Sequence, residues 1–399
     1  MLRILFVTGS LVHGGAERHS ITLMNRLAER GHECHAVYVK NDPAQRERIE
    51  LRGNGSLHCL EARGYYDRAA IADFAAHLAR VRPSVIVAAN AHALMYASLA
   101  RRQAGLAVPL LATFHSTKLL GVKEHVKMLA ERFFFRAADC LVFVCEAQRR
   151  YWRRRLLSAR RNEVIHNGVD VDRFAAADCR TVALALRRRH GIDADDYVIG
   201  MVAVLRPEKN PLQLVAAVAA LRQLDLPARA LFVGDGPLRA AIEQRAAALG
   251  IAAFVTVTGF QDDVRPYIAA CDTVAVCSTT EAFSLAAIEA MAMSRPVVHA
   301  DVGGAAEMID VGHNGFLFPV GDTGTLVYKL ALLAERACAR RMGQNARSVV
   351  ERQFSETAML DRYERTLQSL CEPRSLPRNV PPRLARVLAG RQLRSSVEE

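Results

Sequence analysis

The chain has 399 residues, of which 51% are hydrophobic, and a formal net charge of +12. This length is too great for one ordinary domain and sufficient for two domains with buried cores. The basic charge favours phosphate-bearing partners, either nucleotides, nucleic acids or anionic lipid headgroups, without choosing among them. The nine cysteines form no Cys-x-x-Cys pair, so the spacing indicates no zinc module and fits a reducing cytosol better than secretion.

The N-terminal apolar stretch, residues 2–12, is short and lacks the small-residue cleavage site of a signal peptide. The sequence has no run of about 18 apolar residues, so we expect no membrane span.

Short apolar runs alternate with longer amphipathic stretches along the first half of the chain. Residues 3–8 predict a buried strand, and residues 16–30 predict a helix that stops at Gly31. Further strands are predicted at residues 35–39, 85–89, 110–114 and 140–144. Strands that alternate with helices indicate a parallel sheet covered on both faces.

The same alternation restarts after residue 195. The predicted strands of this second half are residues 198–204, 230–233, 255–258, 273–277 and 296–300. The sequence therefore predicts an α/β protein with two doubly wound, Rossmann-like domains that face each other across a cleft. Ligands of such sheets bind at the carboxyl ends of the strands, where the loops that follow them lie.

The domain boundaries follow from these patterns. We predict an N-terminal Rossmann-like domain, a turn-rich interdomain linker, a C-terminal Rossmann-like domain, a terminal helix that returns to the N-terminal domain, and a basic flexible tail. These are residues 1–165, 166–180, 181–354, 355–371 and 372–399, respectively.

Two glutamates bracket a turn and the start of a helix after the predicted strand at residues 273–277. Glu281 and Glu289 are eight positions apart, and the backbone amides of Phe283, Ser284 and Leu285 lie at the helix start. Unpaired amides and the helix dipole suit a diphosphate. Glu289 can accept hydrogen bonds from ribose hydroxyls, and Glu281 can reach a hexose. By periodicity alone, the pair could instead be a helix-end charge and a solvated face.

The N-terminal domain offers polar groups at two predicted strand ends. Gly14 and Gly15 open the first helix, where glycines allow the backbone to approach a phosphate or an acceptor. His115 follows the strand at residues 110–114, and a local hydrogen-bonding role is the alternative to a catalytic one. His92 and His13 also lie near strand ends, but a structural role is favoured for both.

These motifs form a series that resembles the retaining GT-B glycosyltransferases of family 4. The hallmark of that family is the E-x7-E motif within E-G-F-G-L-x-x-x-E-A-M, and here Ala282 and Ser284 replace its glycines. The glycine-containing segments at residues 233–238, 258–260, 301–307 and 314–322 accompany the motif in the expected order. In the N-terminal half, residues 14–17 match the family's loop, and residues 167–170 match its interdomain segment.

The resemblance implies roles for individual residues. His115 contacts the donor hexose near the reacting carbon, Glu281 positions that hexose, and backbone near Phe260 contacts the base. Lys209 matches the lysine that holds the donor diphosphate, whereas Val204 stands where the family commonly has an arginine. Arg206 is close to that position but in a different register, so it substitutes for the arginine, points to solvent, or leaves the diphosphate to Lys209.

No metal ion or other cofactor is expected. Asp262 and Asp263 are adjacent acidic residues that we interpret as a helix N-cap before Val264 rather than as metal ligands. The resemblance implies that cationic side chains and helix ends replace the metal used by other transferases.

Two basic segments with interspersed apolar residues could contact an anionic membrane surface. Residues 149–161 contain seven arginines around Tyr151, Trp152, Leu156 and Leu157, and residues 118–136 combine lysines and arginines with leucines and phenylalanines. An ordinary solvated face over the core is the favoured alternative for both. The tail adds six arginines between residues 374 and 394. No sequence signature of nucleic-acid binding is present.

The resulting hypothesis is a retaining, metal-independent glycosyltransferase. It would move a hexose or N-acetylhexosamine from a nucleotide diphosphate sugar, by default a UDP-sugar, to a glycan or lipid-linked acceptor in surface polysaccharide, lipopolysaccharide or glycolipid synthesis. We expect it in the cytoplasm or at the inner face of the membrane. The alternatives are a sugar-nucleotide epimerase and a non-catalytic partner that only binds a nucleotide sugar.

Overall fold

The structure is a computed structural model that describes residues 1–12, 14–115 and 122–372, with residues 122–126 described by their backbone alone. The N-terminal domain holds strands β1 to β7 and helices α1 to α5. The strands are Arg3–Thr8, Glu33–Tyr38, Leu57–Cys59, Val85–Ala89, Leu110–Phe114, Cys140–Phe143 and Arg161–Val164. The helices are Gly15–Glu29, Arg68–Val81, Asn90–Gln103, Val122–Ala137 and Glu146–Arg153.

The N-terminal sheet is parallel and doubly wound. Its strand order is β3-β2-β1-β4-β5-β6-β7, and all pairs of neighbouring strands run in the same direction. The central strand Val85–Ala89 is apolar and buried at every position because helices cover both faces of the sheet. The order reverses between β1 and β4, which places the ends of β1, β4 and β5 at the switch point of the sheet.

The C-terminal domain repeats this architecture with strands β8 to β13 and helices α6 to α13. The strands are Tyr197–Val202, Ala228–Val233, Val255–Val257, Thr273–Val276, Val297–Ala300 and Gly315–Phe318. The helices are Arg180–Arg189, Pro211–Gln223, Arg239–Ala248, Arg265–Ala270, Leu285–Ala292, Ala305–Met308, Thr323–Leu332 and Arg336–Gln353. The parallel order is β10-β9-β8-β11-β12-β13, so the predicted α/β fold with two doubly wound domains is confirmed.

The last described helix, α14 (Glu356–Cys371), begins at the cap residue Ser355, whose hydroxyl accepts a hydrogen bond from the Ala358 amide. Its apolar face, with Tyr363 and Leu367, packs into the N-terminal core beside α1. The chain therefore crosses between the domains twice, at residues 166–174 and again before α14. The bridge between Val169 and Ser355 joins these two crossings.

Three strands of the described residues were not predicted from the sequence, and each of them lies at an edge of its sheet. Leu57–Cys59 has only three residues, Arg161–Val164 contains two charged side chains, and Gly315–Phe318 begins with a glycine. An edge strand is covered less completely, so its sequence carries little of the apolar pattern that reveals a central strand.

The segment at residues 149–161 does not present an apolar surface. Trp152 and Leu157 are almost fully buried in the N-terminal core, and Leu156 alone among the large apolar side chains of this segment is exposed. Residues 118–121 of the other basic segment lie outside the described residues, as does the tail from residue 373. Within the described part of the chain, no helix is long and apolar enough to cross a membrane.

Candidate functional site

The donor-side half of the site forms where β8 and β11 end. Lys209 lies in a short turn after β8, and its ammonium group pairs with the Glu281 carboxylate, which follows β11. Ser278 also donates a hydrogen bond to Glu281, with 3.4 Å between the oxygens. The Thr279 amide bonds the Glu208 carbonyl at 2.8 Å and so ties the two loops together. The structure therefore brings together the two residues that the sequence assigned to hexose and diphosphate.

A glycine of the same domain packs against the loop that carries Glu281. Gly303 has a φ of +57°, and a Cβ atom at this position would lie 2.0 Å from the Glu281 carbonyl oxygen. Only glycine adopts this conformation without strain and leaves this space free. The next residue, Gly304, donates its amide to the Ala282 carbonyl at 2.7 Å. The glycine pair after β12 thus fixes the position of the loop that carries Glu281.

Helix α10 begins directly after this loop and points its N-terminus toward the cleft. Ser284 caps it by accepting a hydrogen bond from the Ala287 amide at 3.2 Å. The other amides of the first turn, including that of Leu285, have no partner within the helix and can bind an anion. Phe283 contributes its backbone only, because its side chain is buried against His166 and Phe354.

Glu289 lies one turn further along α10 and is buried, with 4% of its side chain exposed. Its carboxylate contacts Arg18 of α1, at 2.6 Å between Oε1 and Nη2. Burial raises the pKa of Glu289, and the nearby guanidinium of Arg18 opposes this effect. The residue assigned to ribose therefore forms an ion pair with the opposite domain.

The start of α1 faces the start of α10 across the cleft. Gly14 is the N-cap of α1 and provides no side-chain cap. Gly15 lies opposite Leu285, because a Cβ atom at Gly15 would be 4.0 Å from the Leu285 Cδ1 atom. The first turn of α1 also carries Glu17, whose carboxylate lies next to Gly14 and accepts a hydrogen bond from its own backbone amide. The N-terminus of α10, whose first turn has no acidic residue, is therefore the one of the two that favours a negatively charged ligand.

His115 lies at the end of β5. Its backbone amide donates a hydrogen bond to the Asn90 side-chain oxygen at 3.0 Å. Its Nε2 atom is buried and has no hydrogen-bond partner among the described residues. The ring contacts His19 at 4.9 Å between centroids, and His19 in turn bonds the Tyr363 hydroxyl at 3.2 Å. Burial lowers the pKa of His19 to about 4 and holds the pKa of His115 well below its usual value. Both imidazoles are therefore neutral at physiological pH.

The remaining predicted residues lie further from these contacts. Arg206 is half exposed and pairs with Glu208, at 3.0 Å between Nε and Oε1. Val204, at the position where the family commonly has arginine, is 45% exposed. Phe260 is also exposed, in the loop after β10.

The two weaker histidine candidates give a simpler result. His92 makes local contacts: its Nε2 atom donates a hydrogen bond to the Tyr65 carbonyl oxygen at 3.0 Å, and its ring stacks on Tyr65. This contact agrees with the structural role favoured for His92. His13 lies outside the described residues.

The acidic pair before α9 does not cap that helix in the manner predicted. The N-cap is Val264, and Asp263 instead accepts the Arg265 amide and pairs with the Arg265 guanidinium at 2.7 Å. Asp262 pairs with Arg48 of the N-terminal domain at 3.2 Å. The described residues contain no group of three or more His, Cys, Asp or Glu side chains that could hold a metal ion.

Sequence reasoning missed a second set of contacts between the domains. Glu307 of the C-terminal domain accepts hydrogen bonds from the Glu146 and Ala147 amides at 2.9 and 2.7 Å, and so caps α5 of the other domain. His166 bonds the same carboxylate at 2.9 Å. Burial disfavours the ionised form of Glu307, but these partners outweigh it, so the pKa of Glu307 is lowered.

The same contact region between the domains, which we call the seam and which is formed by Cys145–Ala147, His166, Asn167 and Glu307, also contacts the loop of the E-x7-E motif. Cys145 donates its thiol to the Ala282 carbonyl at 3.2 Å, and the Asn167 amide donates to the Phe283 carbonyl at 3.3 Å. Position in the sequence gave a signal for Arg18 and His19 alone, since they lie one helical turn after the glycine pair. Nothing in the sequence linked Cys145, Asn167 or Glu307 to one another.

Comparison with known proteins agrees with this architecture. The structure is similar to the crystal structure of Anabaena HepE in complex with UDP, with a TM-score of 0.79 and 23% identity over 92% of this chain and 100% of that chain. Two doubly wound domains that face a shared site define the GT-B fold, and the comparison supports that fold.

The sequence matches two family models that together cover both domains. The model described as Glycosyltransferase Family 4 matches residues 13–173, and the model described as Glycosyl transferases group 1 matches residues 183–349. The chain is 28% identical to the N-acetyl-alpha-D-glucosaminyl L-malate synthase of Bacillus anthracis over 88% of this chain and 93% of that protein. It is 30% identical to EpsD of Bacillus subtilis over 58% of this chain, and this match spans 61% of EpsD, less than two thirds of its length.

The chain belongs to the family 4 glycosyltransferases of the GT-B fold. It is thus a glycosyltransferase that takes its sugar from a nucleotide-sugar donor, and this assignment favours transfer over the epimerase alternative.

Proposed function

We propose that the protein transfers a hexose or N-acetylhexosamine from a UDP-sugar to a glycan or lipid-linked acceptor, with retention of configuration and without a metal ion. The observation that carries this proposal is that the Lys209–Glu281 pair lies in the loops before α10 and Glu289 lies one turn within α10, whose first residue faces the start of α1. Each group matches one part of a nucleotide sugar in charge and hydrogen bonding.

The leaving group accounts for the cationic side of this arrangement. Breaking the bond between the sugar and the diphosphate concentrates negative charge on the departing phosphate. Lys209 and the first-turn amides of α10 can stabilise that charge without a metal ion. Arg206 contributes only if it leaves Glu208, its partner in the unliganded molecule.

The pairing of Glu281 favours a positioning role over a nucleophilic one. Its carboxylate pairs with Lys209 and accepts a hydrogen bond from Ser278, and Gly303 fixes the position of the loop on which it lies. In this proposal the departing phosphate assists deprotonation of the acceptor hydroxyl on the same face of the sugar, which retains the configuration. His115 is neutral, and its Nε2 has no partner among the described residues, so in this proposal it contacts the hexose as a hydrogen-bonding group rather than as a cation.

The relatives guide the choice of donor and acceptor. The structural neighbour HepE is described in complex with UDP and glucose and with UDP-glucose. LpsE of Rhizobium meliloti, 27% identical over 89% of this chain, is described as a lipopolysaccharide core biosynthesis glycosyltransferase. A UDP-sugar and a surface glycan acceptor are therefore the first to test.

We also propose peripheral contact with anionic lipid through α4. Leu129 and Phe133 lie four residues apart on this helix and are 62% and 67% exposed, and Lys127 and Arg136 lie close to them in sequence. Co-sedimentation with vesicles containing phosphatidylglycerol should fall in a Leu129→Ser, Phe133→Ser variant and should be weak with phosphatidylcholine alone. Equal sedimentation of the variant and the wild type would contradict this role for α4.

The main experiment measures release of nucleoside diphosphate from UDP-, GDP- and ADP-sugars, with a membrane lipid extract as acceptor and EDTA present. We expect acceptor-dependent release from a UDP-sugar, and an NMR spectrum of the product with the anomeric configuration of the donor. Loss of activity in EDTA that Mg²⁺ or Mn²⁺ restores would contradict metal independence, and an inverted product would contradict retention. Tight binding with no release from any donor would favour the non-catalytic alternative.

A further inference from the structure

An ion pair between the two domains involves the residue proposed to bind ribose. Arg18 of α1 reaches Glu289 of α10 across the cleft, with 2.6 Å between Nη2 and Oε1. The arginine side chain is 44% exposed, whereas the glutamate is 4% exposed. The glutamate is thus fixed in the C-terminal domain, and the arginine approaches it from the side of the cavity between the domains.

The environment of Glu289 makes its charge dependent on this contact. Its carboxylate is buried, and burial disfavours ionisation unless a positive charge is close. Arg18 is the cation in direct contact, and Arg173 lies further away and is exposed. The other charged or titratable groups that line the same cavity are His19, Arg26, Glu29, Glu50, Asp170 and Glu356. Arg26 is already paired with Asp170 and Glu356, so it cannot readily replace Arg18.

The contact leaves room for a ligand. A carboxylate has about four lone-pair sites, and Arg18 uses one oxygen of Glu289. Both residues line a cavity of about 290 Å³ that also includes Leu285 and Arg173. A diol can therefore bond to Glu289 while the arginine remains in place.

We propose that Arg18 is a positioning residue for the nucleotide ribose, because it holds the Glu289 carboxylate ionised and oriented from the opposite domain. This inference rests on the proposed role of Glu289 in donor binding. It makes nucleotide affinity depend on the approach of the two domains, since the arginine reaches Glu289 only when α1 and α10 face each other. Arg18 itself contacts the carboxylate and not the reacting atoms.

The opposite role for the same contact predicts an effect of opposite sign. If Arg18 blocked Glu289 in the unliganded enzyme, its removal would free the carboxylate and tighten nucleotide binding. If Arg18 instead bound the diphosphate or the base, its removal would weaken nucleotides with and without ribose hydroxyls equally. Both alternatives can be separated from ribose positioning by calorimetry.

The experiment measures the dissociation constants of UDP and 2′,3′-dideoxy-UDP at pH 6.0 and 8.5, with GDP in parallel. For Arg18→Gln, we expect UDP affinity to fall about 10-fold at pH 6.0, the loss of one hydrogen bond to a charged group. The difference in UDP affinity between the variant and the wild type should be smaller at pH 8.5. Without the arginine the pKa of Glu289 rises further, so a higher pH is needed to ionise its carboxylate. The dideoxy nucleotide should bind both proteins equally, and Arg18→Lys should restore part of the UDP affinity.

Two controls make the result specific. Arg173→Gln removes an exposed arginine from the same cavity and should change UDP affinity less than threefold, a surface-charge effect. Glu289→Gln should weaken UDP binding, and adding Arg18→Gln to it should cause no further loss. Tighter UDP binding by Arg18→Gln, or equal losses for UDP and its dideoxy analogue, would overturn the inference. If the wild type binds neither UDP nor GDP, the proposed nucleotide site itself fails.

Discussion

The two halves of the site are built in different ways. In the C-terminal domain, Lys209 and Ser278 both contact Glu281, and Gly303 of the same domain packs against the Glu281 backbone. In the N-terminal domain, the site residues depend on partners that arrive from elsewhere. Arg18 contacts the other domain, and His115 packs on His19, which bonds Tyr363 of the last described helix.

This difference indicates that the contacts among Lys209, Ser278 and Glu281 are complete within one domain. Glu289 and the residues of the N-terminal half are defined only when the chain has crossed back and the domains face each other. Changes in the donor half should therefore damage the chemistry directly. Changes in the N-terminal half and in the seam should act through the approach of the domains. The following predictions test that division, beginning with the largest expected effect.

Lys209→Ala should lower turnover by about 100- to 1,000-fold, the usual result of removing one group that stabilises a developing anion. Its effect on UDP affinity should be smaller, because the charge on the leaving phosphate increases in the transition state. Steady-state kinetics and calorimetry separate the two effects. Arg206→Ala is the matched control, and we expect a smaller loss because Arg206 is half exposed and paired with Glu208. Near wild-type turnover of Lys209→Ala would exclude it from the diphosphate site.

Gly303→Ala should lower stability and donor binding together. The added Cβ would meet the Glu281 carbonyl oxygen at 2.0 Å, so the loop must move. Gly312→Ala is the control, since its φ of +82° imposes similar strain but nothing lies within 4 Å. We expect about 1 kcal/mol of lost stability for Gly312→Ala and about 1–3 kcal/mol more for Gly303→Ala. Equal stability and equal UDP affinity of the two variants would contradict the supporting role of Gly303.

The division between the halves also explains what the sequence could predict. The E-x7-E motif and Lys209 lie in loops after strongly apolar strands, so local pattern and family resemblance located them together. Cys145 and Asn167 contact the motif, and Glu307 contacts the start of α5, through segments more than 100 positions apart. Such contacts depend on the relative placement of two domains, which no local periodicity encodes.

Other features of the site also depend on contacts that local pattern does not show. Phe283 was predicted to offer its backbone amide, and its ring packs on His166 and Phe354, which anchors the loop. The sequence left open whether Arg206 substitutes for the missing arginine or points to solvent, and the structure shows it half exposed and paired with Glu208. The three missed strands lie at sheet edges, where the apolar pattern is weakest.

Glu307→Ala should test the seam without touching the donor half. It removes two of the hydrogen bonds that cap α5, and Gln148 of this helix bonds the Phe114 carbonyl next to His115 at 2.9 Å. We expect turnover to fall about 10-fold, as for the loss of hydrogen bonds to a charged group. UDP affinity should fall less, through the dependence of the Arg18–Glu289 contact on the approach of the two domains. Glu307→Gln keeps an acceptor oxygen and should recover part of the turnover. A loss of UDP affinity as large as the loss of turnover would place Glu307 in the donor half instead.

The smallest effect concerns the stability of the N-terminal half and its dependence on pH. The pKa of His19 is about 4 in the folded protein and 6.5 when the residue is exposed, so the unfolded chain binds one more proton between these values. Stability from this group is therefore complete above about pH 6.5 and is lost as the pH falls toward 4. His115 acts in the same direction, because burial also lowers its pKa.

His19→Gln removes one of the two histidines that take up a proton on unfolding, and the glutamine side chain can still bond the Tyr363 hydroxyl. The slope of unfolding free energy against pH should decrease by up to about 1.4 kcal/mol per pH unit between pH 5 and pH 6. The single tryptophan, Trp152, is buried in the N-terminal core, so its fluorescence in urea reports on this domain. His313→Gln, at an exposed position, is the control. If His19→Gln and the wild type have the same slope, His19 is already protonated in the folded protein, and the neutral pair beside the sugar site must be abandoned.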